Sequence, residues 1–165
     1  MILQYFKKKG KIGKHTANEI YKKILVESKK LLINSTYFDQ KNYNTSFEIV
    51  SIYLIIYIKL NIEFKVGHYQ SVNEELINTF VDDLDDSLRS KGIGDMSIGK
   101  YVKSYVKKFY FRLSKFPKEF SEIDINTFSN YLDDLNFVKK EKNLIVANKF
   151  FNIFKDLRKS FEKNM

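Results

Sequence analysis

The sequence of residues 46–60 is SFEIVSIYLIIYIKL, and this stretch decides the fold. Its residues are apolar nearly all round a helix, and such a helix is usually buried at the centre of a core. Thr45 and Glu48 have the spacing of a capping box, in which each side chain satisfies a backbone N–H at a helix start. The Ile and Tyr content also suits a buried strand, but the length of the run and the capping pattern favour a helix.

The segments on both sides have apolar residues at helical spacing. Further helices are predicted to begin near Thr16, at Ser71, after the glycine-rich turn 92–99, at Asp124 and near Lys140. Gly92 is expected to end the helix before it as a left-handed residue, and Pro117 is expected to stop the next one. The fold class is therefore predicted to be all-α, a single compact bundle of five to six helices. Residues 1–14 are predicted to be a basic flexible tail, and residues 15–165 a single helical domain.

The composition excludes several kinds of chemistry. The chain has no cysteine, which excludes disulfides, thiolate metal sites and cysteine nucleophiles. His15 and His68 are the only histidines, and neither has a neighbour at metal-ligand spacing. No catalytic residue, metal, cofactor or small-molecule substrate is expected.

Two motifs resemble ligand sites but are better explained as ordinary helix features. Residues 82–86, DDLDD, fit the DDxxD pattern by which helical isoprenoid synthases hold magnesium, but those enzymes are much longer chains. The turn 92–99 precedes a helix, as a phosphate loop does. It lacks a preceding strand, however, and Lys100 is followed by Tyr101 rather than by Ser or Thr.

The net charge is +9, and only three of the 29 basic residues are arginine. The high lysine, asparagine and isoleucine content is typical of an AT-rich genome, while attraction to an anionic surface is the functional interpretation. Residues 71–95 carry seven acidic and two basic side chains, and residues 96–120 carry seven basic and one acidic. Lysines alternate with aromatic residues in the second segment, which suits RNA or ribosome binding. An ordinary amphipathic helix also explains the pattern and is favoured; in it the lysines face outward and the aromatic residues face inward, namely Tyr101, Tyr105, Phe109 and Tyr110.

No segment has the apolar length that spans a bilayer, since the most apolar run covers only residues 49–58. The apolar residues at the N-terminus come before the lysines, which is the reverse of a signal peptide. A cytoplasmic protein is expected. The apolar and basic residues of the tail would also suit contact with the anionic inner-membrane surface.

Residues 80–100 read FVDDLDDSLRSKGIGDMSIGK, an acidic helix that ends in Leu-Arg and is followed by a glycine-rich turn. This stretch resembles the signature of the ubiquinol–cytochrome c chaperone family. Phe109-Tyr110 and Arg112 fit the aromatic pair and the arginine of the next helix in that family, and a looser likeness extends over residues 20–116. The resemblance implies that residues 15–165 are a chaperone-like domain of a bacterial assembly factor without catalytic activity. It implies a protein client, newly made cytochrome b, and a role in building the ubiquinol–cytochrome c reductase complex; the alternative is a basic helical RNA- or ribosome-binding module.

The same stretch supplies the candidate binding residues. The candidates are Asp82, Asp83, Asp86, Arg89, Gly92, Gly94, Asp95, Gly99, Lys100 and Arg112. One hypothesis is that they face a partner. The other is that they hold two helices together, with Asp95 capping the second helix and Arg89 pairing with Asp85 one turn back. The sequence leaves both open.

Overall fold

A computed structural model describes the backbone of residues 2–33 and 36–165, and the side chains of residues 13–33 and 36–165. The helices of this described part are α1 (Ile2–Ile33), α2 (Tyr43–Phe64), α3 (Tyr69–Ser90), α4 (Asp95–Lys115), α5 (Ile125–Leu135) and α6 (Asn143–Lys163). Short 3-10 turns at Phe120–Glu122 and Lys140–Lys142 precede α5 and α6. The only β pairing within these ranges is an isolated antiparallel bridge between Phe38 and Val138. The predicted all-α bundle is confirmed.

Helix α2 forms the centre of the core. From Phe47 to Leu60 every side chain is buried except those of Tyr57 and Lys59, which are partly buried. The helix contacts α1, α3, α4 and α6, and neighbours on all sides are what an apolar run of this length requires. The strand alternative for residues 46–60 is therefore wrong.

The start of α2 differs from the prediction. The helix begins at Tyr43, and its N-cap is Asn42, whose side-chain oxygen accepts a hydrogen bond from the Thr45 N–H at 3.0 Å. Thr45 instead donates its hydroxyl to the carbonyl of Gln40, and Glu48 binds an arginine of α4. The Thr45 and Glu48 capping box is thus wrong, because Thr45 lies inside the helix and bonds back to Gln40, while Glu48 pairs with α4.

Helix α1 begins at Ile2, so the boundary predicted after residue 14 is not a helix boundary. Lysine is a good helix former and no proline interrupts the segment, so the helix continues through Thr16. Within α1, Gly13 packs so closely on α3 that an added Cβ would lie 2.5 Å from the Ser71 hydroxyl oxygen. The side chains of residues 1–12, with their proposed membrane contact, and residues 34 and 35 of the predicted loop lie outside the described residues. The flexibility of the tail stays a prediction.

The remaining helix ends follow local chemistry. Helix α3 begins at Tyr69 rather than at the predicted Ser71, and its N-cap, His68, makes no side-chain cap. Helix α4 stops at Lys115, two residues before Pro117, as predicted. Asp124 caps α5 with a full capping box, because its carboxylate accepts from the Thr127 N–H while the Thr127 hydroxyl accepts in return.

Candidate functional site

The turn between α3 and α4 is built around Gly92, which has a φ of +90°. Its N–H donates to the carbonyl of Arg89 at 2.9 Å, and the N–H of Ile93 donates to the carbonyl of Leu88 at 3.3 Å. This pair of bonds is the Schellman motif, which satisfies the last carbonyls of a helix and needs a left-handed residue. The prediction that Gly92 ends α3 is confirmed.

Arg89 ties the two helices together across this turn. Its guanidinium donates one hydrogen bond to Asp85 in α3 and another to Asp95 at the start of α4. The hydrogen bond to Asp85, followed by that to Asp95, raises the pKa of Arg89. The predicted Arg89–Asp85 pair is confirmed. Asp95 is not the cap of α4, however, because Gly94 holds the N-cap position and Asp95 is the first helical residue.

The other members of the motif face solvent. Asp82, Asp86, Gly94, Gly99 and Lys100 are exposed. A Cβ added at either of the two glycines would meet no atom within 4 Å. Between those glycines, Met96 has a relative exposure of 103%, although methionine is usually buried. Met96 was not among the predicted binding residues, although its position between two turn glycines indicated an exposed site.

Asp83 lies on the inner side of α3 and is partly buried. Its carboxylate accepts a hydrogen bond from the Tyr21 hydroxyl of α1 at 2.8 Å. Burial, and then the charge of Asp83, raise the pKa of Tyr21. Asp83 therefore joins α1 to α3.

The acidic residues 82–86 do not point toward a common centre. The described side chains contain no group of three His, Asp or Glu residues arranged to hold a metal ion.

Arg112 also points inward, to Glu48 of α2. Its Nη2 donates to Glu48 Oε1 at 2.9 Å, and its Nε donates to Oε2 at 3.2 Å. The two side chains are only 17% and 10% exposed. Burial alone would lower the pKa of Arg112, but the hydrogen bonds and charge of Glu48 outweigh it, and the pKa is raised. This forked ion pair fastens α4 to the central helix.

Helix α4 buries few of its aromatic residues. Phe109 is buried and Tyr105 is partly buried, as predicted. Tyr101 was expected on the same inner face, but it is 48% exposed, because only Ile98 is buried in the first turns of α4. Tyr110 and Phe111 are 48% and 56% exposed. The interpretation that the aromatic residues turn inward is therefore wrong for Tyr101 and Tyr110; no prediction had been made for Phe111.

A groove that the sequence did not predict runs between α1 and α6 over the surface of α2. It consists of two adjoining hollows of about 420 and 270 Å³ that share Glu27, Tyr53 and Ile153 as lining. Burial is the main cause of the raised pKa of Tyr53 and of its neighbour Tyr57. In the sequence, the only indication of this groove was the pair Tyr53 and Tyr57, four residues apart on the apolar helix.

None of the described helices has the apolar length to cross a membrane.

Residues 39–150 match the family model described as ubiquinol-cytochrome C chaperone. The match covers more than half of the chain and includes the central helix, the α3–α4 turn and all of α4. The chain belongs to this family. No curated protein sequence matches it.

The fold also matches a solved structure. The crystal structure of the Cbp3 homolog from Brucella abortus superposes with a TM-score of 0.71. The two chains are 21% identical, and the match covers 96% of this chain and 88% of the other. Membership of a chaperone family makes this chain a non-catalytic assembly factor for the cytochrome bc complex. Its partner is accordingly a protein of that assembly.

Proposed function

We propose that this chaperone binds newly made cytochrome b while the ubiquinol–cytochrome c reductase complex is being built. The contact is made by the end of α3 and the start of α4, here named the α3–α4 surface. This surface consists of Asp82, Asp86, Gly94, Met96, Gly99 and Lys100, all exposed.

The observation that carries the proposal is the openness of Gly99, a glycine inside a helix. Gly94 has a φ of −76°, which any residue adopts, and Gly99 lies inside α4, where glycine costs about 1 kcal/mol relative to alanine. No atom lies within 4 Å of a Cβ at either position. Gly94 is the N-cap of α4, where glycine is a favoured residue. Gly99 is not explained by the helix or by a neighbour among the described residues. Absence of a side chain does allow another chain to approach closely.

The charge of the surface supports a client of this kind. Asp82 and Asp86 are exposed on α3 and form no ion pair within the described side chains. The cytoplasmic loops of membrane proteins carry an excess of Lys and Arg. These two carboxylates suit a basic loop of such a client, and the exposed Met96 suits an apolar residue of it.

The other candidate residues hold the α3–α4 surface in position. Arg89, Gly92 and Asp95 set the angle of the turn, and Asp83 and Arg112 fasten α3 and α4 to the core. We assign them positioning roles in client binding. Their substitution is expected to lower stability and client capture together.

The first test is affinity purification of the tagged chain from its native host in mild detergent. Cytochrome b is expected among the recovered proteins. The variant Asp82→Lys/Asp86→Lys should stay folded and lose cytochrome b. The control variant Glu63→Lys/Glu74→Lys makes the same charge change at exposed sites, and Glu74 is about 12 Å along α3 from Asp82. Recovery of only RNA and ribosomal proteins would favour the basic-module alternative and overturn the proposal.

The glycines provide a second test that separates binding from folding. Gly99→Ala should raise the free energy of unfolding by up to about 1 kcal/mol, because alanine is the better helix former. The added methyl group should at the same time reduce cytochrome b recovery if the client approaches the backbone there. A more stable variant with undiminished recovery would show that Gly99 is not at the contact.

We also propose that the protein works at the cytoplasmic face of the inner membrane as a peripheral protein. A client that inserts into that membrane has to be bound next to the membrane. The net charge of +9 favours attraction to the anionic membrane surface. Cell fractionation before and after a high-salt wash tests this, since a peripheral electrostatic contact is released by salt.

A further inference from the structure

The outward face of helix α4 carries only positive charge. The α3–α4 surface includes only the first turns of this face, at Met96 and Lys100. At 3.6 residues per turn, one side of the helix collects positions 96, 100, 103, 107, 110 and 111. These are Met96, Lys100, Lys103, Lys107, Tyr110 and Phe111, and all are exposed. They lie opposite the buried Ile98 and Phe109 and form a strip about 22 Å long, here named the α4 outer face.

We propose that the α4 outer face is the surface that docks on an anionic lipid bilayer. The inference rests on the membrane association proposed above and names the helix face and the lipid chemistry. Between Asp95 and Glu119 the sequence has no acidic residue. Asp95 itself is engaged by Arg89. The face therefore presents lysine charge only, which complements a layer of lipid phosphates.

The apolar members of the face favour a bilayer over other polyanions. Phe111 is 56% exposed and Tyr110 is 48% exposed, beside lysines whose long stems can lie along apolar surface while the ammonium groups stay in water. Tyrosine prefers the headgroup region of a membrane, because its ring is apolar and its hydroxyl is wet, and phenylalanine is common on the buried face of interfacial helices. The ring of Phe111 is thus placed to insert while Lys103 and Lys107 contact phosphate.

The use of lysine rather than arginine on the α4 outer face also favours a lipid bilayer. The single arginine of α4, Arg112, is turned inward to Glu48, so no guanidinium fork is offered to an individual phosphate or base. Lysine acts as a point charge, which suits a diffuse anionic surface. The exposed Asp82 and Asp86 on α3 are repelled by the same surface, and this leaves them turned toward a client.

The test is binding of the full chain to vesicles of phosphatidylcholine with and without phosphatidylglycerol. Binding is expected only to the anionic vesicles, and it should weaken at high salt. A surface lysine strengthens such binding about fivefold, so Lys103→Gln/Lys107→Gln should weaken it about 25-fold. The matched control is Lys159→Gln/Lys163→Gln on α6, since these lysines are also exposed and also four residues apart.

Insertion is read from a tryptophan, because the natural chain has none. Phe111→Trp should show a blue shift and quenching by brominated lipid in anionic vesicles. Leu144→Trp, at a 63% exposed site on α6, should show neither. Circular dichroism confirms that each variant is folded.

The outcomes separate the two proposals. No vesicle binding by the natural chain would overturn both the membrane association and its assignment to α4. Binding that both lysine pairs weaken equally, or that leaves Phe111→Trp unshifted, would overturn the α4 outer face alone. Tighter lysine-dependent binding to an RNA oligonucleotide than to vesicles would overturn it in favour of a nucleic-acid partner. None of these results depends on cytochrome b, so they leave the client assignment intact.

Discussion

Replacing Arg112 tests whether this residue holds the fold together or contacts the partner directly. In Arg112→Met the Glu48 carboxylate, only 10% exposed, loses both of its hydrogen bonds from the guanidinium. Removing one member of a buried pair costs about 3–5 kcal/mol, because an uncompensated charge is left behind. We expect a loss of that size in the free energy of unfolding, measured by urea denaturation followed by the helical circular dichroism signal.

The second member of the pair supplies the control. Glu48→Leu/Arg112→Met removes both charges and replaces them with apolar groups, which is often neutral for a buried pair. The double variant should therefore recover most of the lost stability, with a coupling free energy of about 3 kcal/mol.

A loss below about 1 kcal/mol in Arg112→Met, or normal stability with lost cytochrome b capture, would refute a structural role for Arg112 and place it at the partner contact.

Three further predictions concern stability. Gly92→Ala should cost about 1–2 kcal/mol in chemical denaturation because of the φ of +90°, whereas Gly99→Ala, at a helical position of α4, should not lower stability; equal losses would contradict the Schellman assignment. Phe109→Ala should cost about 3–5 kcal/mol, since Phe109 is 1% exposed and packs on Phe80 at 5.1 Å between ring centroids; a smaller loss would mean that α4 is weakly attached. Burial raises the pKa of Tyr21 and Tyr131 above the ordinary 10.0, so their contribution to stability should be constant below pH 10 and fall as the pH rises past it, with the tyrosinate absorbance of these two rings appearing only on unfolding. Tyrosinate absorbance at full strength in the folded state would contradict the burial of these rings.

The features that were predictable from sequence depend on local rules. Residues 46–60 were placed at the centre because only a surrounded helix tolerates apolar residues on every side. Gly92 was placed at the end of α3 because the left-handed conformation favours glycine. Pro117 marked the end of α4 because proline disfavours helix in the residue before it.

The features that were missed depend on long-range contacts. Arg112 and Glu48 are 64 residues apart, so nothing in either local pattern shows that they meet. Once paired with Arg112, Glu48 is no longer available for the capping box, and Asn42 caps α2 instead. Tyr101 has the right periodicity for the core but lies where α4 has few neighbours. Exposure in a bundle is decided by which helices lie alongside, and periodicity alone does not supply that information.

The central position of α2 has a consequence for how the chaperone itself is made. Tyr53 of α2 packs edge-on against Phe150 of α6, with ring centroids 5.7 Å apart. Translation proceeds from the N-terminus, so the most apolar helix leaves the ribosome long before the helix that covers its far side. Until α6 emerges, the nascent chain exposes hydrophobic surface of the kind that assembly factors shield in their clients. A protein that protects an unfinished neighbour thus passes through an unprotected stage of its own, and this stage lasts until α6 has been translated.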